Sequence, residues 1–142
     1  MKNYLIIILI NILGPQISFA QDTAHSTIHR IVFQASSSDP LVQKSITKQL
    51  TNLKEGWGDS VNIEVVCHGP GIELLMPSKT QYLAEIQSLM SKKIDFVVCE
   101  NSMRERKVTK EEILTGSRFV KMGLGEIVIK QEKGWSYIKG GF

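Results

Sequence analysis

Apolar and polar positions alternate along the chain in short blocks that change period. Ile28 to Ala35 is apolar at its centre, Ile31-Val32-Phe33, and reads as a first strand. Asp39 then suits an N-cap and Pro40 a first helical position. Val42, Ile46, Leu50 and Leu53 recur at helical spacing and line one face, until Gly56 and Gly58 end the helix. Val61 to Cys67 alternates as a second strand and runs into the turn His68-Gly69-Pro70-Gly71. Ile72 to Met76 is a short apolar stretch closed by Pro77. Ser78 with Gln81 predicts a helix start, and Leu83, Ile86, Leu89 and Met90 its buried face.

Ile94 to Val98 is short, β-rich and apolar, as a central parallel strand should be. It ends at Cys99. Ser102 with Glu105 has capping-box spacing, so a helix is expected to start there. Thr109 with Glu112 predicts a further helix, stopped by Gly116. Phe119-Val120 reads as a brief strand and Glu126 to Lys130 as a fifth, with Ile127 and Ile129 on one side. Trp135 to Ile138 folds back or extends an edge. The alternation implies an α/β fold: a three-layer α/β/α sandwich around a mostly parallel five-stranded sheet. Chemistry in such sheets gathers outside the carboxyl ends of the strands. Ser36 to Asp39, Cys67 to Gly71 and Cys99 to Ser102 all fall at that edge.

The first twenty residues have a different pattern. Lys2 is a small basic n-region, Leu5 to Leu13 an apolar core broken by Asn11, and Ser18-Phe19-Ala20 a small-x-small site. Residues 1–20 are therefore expected to be a signal peptide cleaved after Ala20, 21–27 a flexible leader and 28–142 the folded domain. Gly14-Pro15 interrupts the core well short of a bilayer span. The expected mature protein is periplasmic or secreted, with no membrane attachment. With 142 residues there is room for one domain. The net charge of +3 is scattered and aromatic residues are 7%, which argues against a nucleic-acid partner.

Candidate chemistry centres on Cys99. A thiol between a strand end and a helix start meets free N–H groups and a favourable dipole, so it should ionise readily. Three readings stand: a persulfide-bearing or redox-active thiol, a disulfide with Cys67, or an inert buried thiol. If the two strands are neighbours, their Cα atoms lie ~4.8 Å apart, within a disulfide's tolerance. Arg104 and Arg106 can add positive potential. His68 can exchange a proton near Cys99 or simply hydrogen-bond its turn. Gly69 and Gly71 either let a ligand approach the backbone or serve tight geometry. Asn101 and Ser102 complete the candidate pocket. Ser36 to Asp39 reads as a small-anion site or as plain helix capping. No metal-ligand spacing occurs, and no metal or other cofactor is expected.

With these segments placed, the chain resembles the DsrE/DsrF-like sulfur-relay family, and within it the exported DsrE-like proteins. The resemblance rests on His68-Gly69-Pro70-Gly71-Ile72-Glu73-Leu74-Leu75, on Cys99-Glu100-Asn101-Ser102-Met103, and on Gly125 to Gln131 with Gly134 to Ile138. It implies a sulfur carrier whose cysteine holds sulfane sulfur as a persulfide, a cysteine that matches Cys99. It also implies homo-oligomers, trimers or hexamers, and a protein that donates or accepts sulfur. Cys67 departs from the family pattern, which more often has an apolar residue before the turn. The alternative function is a non-catalytic module of the same fold that binds a small ligand or assembles. Leu74-Leu75-Met76 and Phe119, Met122 and Leu124 are expected either in the core or beneath a second subunit.

Overall fold

The computed structural model describes residues 28–142, so the expected signal peptide and leader lie outside the described residues. Five strands form one parallel sheet: β1 (His29–Ala35), β2 (Val61–Cys67), β3 (Asp95–Cys99), β4 (Arg118–Val120) and β5 (Ser136–Lys139). Their order is β4-β3-β2-β1-β5. Each neighbouring pair is parallel. Four α-helices join them: α1 (Pro40–Trp57), α2 (Leu83–Ser91), α3 (Glu100–Arg106) and α4 (Gly123–Glu132).

The chain first steps outward from β1 to β4, then crosses the whole sheet to lay β5 on the far side of β1. Parallel crossovers are right-handed, so reversing the direction of travel moves the connecting helix to the opposite face. The helix of that last crossing is α4. It covers Val32, Val66 and Val97 with Ile127, while α1, α2 and α3 cover the larger core on the other face. The result is the expected three-layer α/β/α sandwich.

Local signals explain the first half well. Asp39 accepts a hydrogen bond from the Leu41 N–H at 2.7 Å, and Pro40 opens α1. Capping accounts for the Ser36–Asp39 segment without a ligand. The apolar stretch after the His68 turn is a 3-10 helix, Gly69–Leu75. Its Ile72, Leu74 and Leu75 are buried, as is Met76, so this ridge is core.

Two expectations fail at helix starts and one at a strand. Ser102 does not cap a helix: α3 begins three residues earlier, with Cys99 at the N-cap. The second helix starts at Leu83, after a turn, rather than near Ser78. Thr109 and Glu112 do make a capping box, but it opens only the single 3-10 turn Lys110–Glu112. Glu126 to Lys130, expected as a strand, lies within α4. Three apolar residues between two charged ones fit either period, and burial decides it here. Ile127 is buried while Ile129 is exposed, which breaks the alternation a strand would need. Glu126 and Lys130, one helical turn apart, both face Arg118 or Glu64. The fifth strand is instead Ser136–Lys139, on the edge beside β1.

Candidate functional site

Cys99 ends β3 and starts α3, at the carboxyl edge of the sheet. Its residue is 4% exposed. It lies on a cavity of about 270 Å³ lined by His68, Asn101, Ser102, Glu105, Met122, Gly123 and Leu124. The His68 turn, the first turn of α3 and the amino end of α4 therefore meet around one sulfur.

Two helix starts face the thiol. The Gly123 N–H, at the first position of α4, donates to Cys99 Sγ at 3.2 Å. Burial alone would push the thiol up. The Ser102 hydroxyl and the N–H groups of Ser102, Gly123 and Asn101 outweigh it, and the Cys99 pKa falls below the usual thiol range. The dipole of α4 acts in the same direction.

Gly123 is glycine for a spatial reason. A Cβ there would come 3.0 Å from His68 Cβ, 3.1 Å from Cys99 Cβ and 3.3 Å from Val66 Cγ1. A bare Cα lets the α4 amide close on the sulfur without pushing these neighbours back by a few tenths of an ångström. The turn before it is built by similar constraints. Gly69 has φ +52°, and a Cβ on Gly71 would lie 2.1 Å from the Ala35 carbonyl oxygen. Both glycines of that turn serve tight geometry. Ser102 joins the turn to the thiol, because its hydroxyl oxygen accepts the Gly69 N–H at 2.7 Å.

His68 shares the cavity with the thiol, and its Nε2 lies 2.7 Å from Gln34 Nε2. Burial holds its pKa below the ordinary histidine value. Asn101 accepts from Arg104 Nη2 at 2.5 Å through its side chain. Arg106 pairs with Glu73 at 2.8 Å, so its charge is engaged away from the sulfur.

Cys67 does not join this site. It is fully buried in the larger core, and burial pushes its thiol far up. Strands β2 and β3 are neighbours, as a disulfide would require, but Cys67 stands opposite Val98. Cys99 is one residue further on, and successive side chains point to opposite faces. Both cysteines are free. Among the described residues no group of three His, Cys, Asp or Glu side chains converges as metal ligands would.

The residues that sequence reading missed are Gly123, Gln34 and Tyr137. Reading Glu126 to Lys130 as a strand hid the start of α4. The available signal was Gly123 with Ile127, four apart on one helical face.

A solved structure titled "Structure of Protein of Unknown Function MTH1491 from Methanobacterium thermoautotrophicum" is similar to this fold. It has a TM-score of 0.68 and 28% sequence identity, over 78% of this chain and 98% of that one. No curated protein matches. The DsrE/DsrF-like family matches residues 19–139. That match takes in every strand and helix described above, and the chain belongs to the DsrE/DsrF-like family.

Proposed function

We propose that the protein is an exported sulfur carrier whose Cys99 holds sulfane sulfur as a persulfide. The observation that carries this reading is the Gly123 N–H at the start of α4, which donates to the Cys99 sulfur at 3.2 Å where the sulfur stands at the start of α3. An anionic sulfur is the species such donors favour. The Cys99 thiolate attacks the terminal sulfur of a donor persulfide, R–S–SH. A new S–S bond forms at Cys99, the donor's S–S bond breaks, and R–S⁻ leaves and takes up a proton. An acceptor thiolate then attacks the outer sulfur, and Cys99 leaves as thiolate. Sulfane sulfur moves between thiols without net oxidation. The amino-terminal n-h-c pattern supports export, with cleavage after Ala20.

A second reading, a non-catalytic assembly or binding module, has one observation in its favour. Met122 and Leu124 are each 57% exposed beside the cavity, and Val128 and Ile129 of α4 are also exposed. An apolar patch of this kind suits burial against another subunit, in a trimer or hexamer of this chain.

Intact mass separates the two. Protein purified without reductant is exposed to a sulfane-sulfur donor, alongside Cys99→Ser. The relay requires added sulfur that reductant removes and that never loads on Cys99→Ser. Two free thiols that take up nothing would sink the relay and leave the module.

A further inference from the structure

Two strands and the residue just past a third each send one side chain into a hydrogen-bonded chain that reaches the Cys99 cavity. Tyr137 on β5 bonds Gln34 on β1 through Gln34 Oε1, and Gln34 Nε2 lies 2.7 Å from His68 Nε2 at the end of β2. Tyr137 is partly exposed, so the chain runs from the surface inward to the cavity wall.

The chemistry of the three groups fixes the direction of the hydrogen bonds. A phenol is a better donor than acceptor, since its lone pairs delocalise into the ring. Its O–H therefore goes to the amide oxygen of Gln34. The Gln34 nitrogen, which has only protons to offer, is left facing the imidazole. His68 Nε2 must then present its lone pair, and the ring proton sits on Nδ1.

We propose that Gln34 and Tyr137 are positioning residues that hold His68 as a neutral imidazole with its proton on Nδ1. The Cys99 thiolate is then sustained by N–H and O–H donors and not by an imidazolium partner. The inference rests on Cys99 being the reactive group of the proposed function. The other ionisable side chain on the cavity wall is Glu105, a carboxyl group that cannot carry the positive charge of an imidazolium. Burial also favours the uncharged ring.

The experiment is long-range ¹H–¹⁵N correlation NMR of the histidine rings near neutral pH, with His68 assigned by its loss in His68→Asn. The expected wild-type pattern is neutral, Nδ1-protonated. Tyr137→Phe frees the amide to turn over and gives a mixture of tautomers. Gln34→Glu places a carboxylate against Nε2, so both ring nitrogens carry protons. In that variant alkylation of Cys99 by iodoacetamide at about pH 6 rises several-fold, because an imidazolium beside a thiol lowers its pKa. A wild-type ring that is doubly protonated or protonated on Nε2 overturns the proposal without any variant having to fold. So does a tautomer unchanged in both Gln34→Glu and Tyr137→Phe. Sulfur loading is not read here. A Cys99 that takes up no sulfur would remove the relay and leave the tautomer standing, and the reverse outcome would do the opposite.

Discussion

The amide of Gly123 hydrogen-bonds the thiol of Cys99 at 3.2 Å, and this contact ties the start of α4 to the end of β3. Gly123→Ala should break it. The added Cβ meets His68 Cβ at 3.0 Å and Cys99 Cβ at 3.1 Å, so the helix start must back away. Hydrogen bonds to charged groups are worth about 1.5–3 kcal/mol. The Cys99 pKa is expected to rise, with a matching loss of thiolate near neutral pH. The pH dependence of iodoacetamide alkylation reads the shift directly. An unchanged midpoint in a folded Gly123→Ala protein would mean the α4 amide contributes nothing.

Ser102→Ala should act on both stability and reactivity. The hydroxyl oxygen accepts the Gly69 N–H at 2.7 Å, and the same group helps lower the Cys99 pKa. Without it a part-buried N–H loses its partner, which costs about 1–3 kcal/mol. Denaturant melts should show that loss, and the alkylation midpoint should move up. A melt shift with no change in midpoint would limit Ser102 to holding the turn.

The two cysteines should behave as strangers. Cys67 is fully buried in apolar surroundings that push its thiol far up, whereas Cys99 lies on a cavity with its pKa lowered. Mild alkylation of the native protein is expected to label Cys99 alone, and Cys67 only after unfolding. Cys67→Ser should cost about 1–3 kcal/mol by placing a hydroxyl in an apolar site, while Cys67→Val is tolerated better. Non-reducing mass analysis that found the pair joined would contradict the opposite-face placement.

What the sequence disclosed and what it hid follow one physical line. Local signals held where one stretch decides its own fate. Asp39-Pro40 opens α1, and β2 alternates Asn62 against buried Val61 and Ile63. Cys99 at a strand end was legible for the same reason. The environment of that sulfur was not, because its donor arrives from Gly123, far along the chain and on a helix that reads as a strand. Gln34 and Tyr137 were hidden by topology: β5 pairs with β1 only because α4 crosses the sheet. Cys67 against Cys99 was decided by a one-residue register, which periodicity alone leaves open.

Glu64 explains how α4 is kept in place. The side chain is 1% exposed, with Lys130 Nζ and Arg118 Nη2 each 2.5 Å from its Oε2, and its Oε1 has no hydrogen-bond partner among the described residues. Burial raises its pKa, opposed by the hydrogen bond and charge of Lys130 and the charge of Arg118, and aided by Glu126. The folded state thus holds the Glu64 proton to a higher pH than the unfolded chain does. Its contribution to stability is complete below the ordinary carboxylate range and is lost as pH rises through the raised folded value. Glu64→Gln removes this slope, so the difference in unfolding free energy between wild type and variant should change across that window and flatten above it. Lys130→Met leaves the carboxylate with Arg118 as its remaining close cation and should destabilise the fold by less than the ~3–5 kcal/mol that follows when a buried charge loses its sole partner. It should also loosen α4 and raise the Cys99 alkylation midpoint, although Lys130 lies near the far end of the helix from Gly123. A destabilised Lys130→Met with an unaltered Cys99 midpoint would show that Gly123 is held by its own contacts rather than by the buried charge.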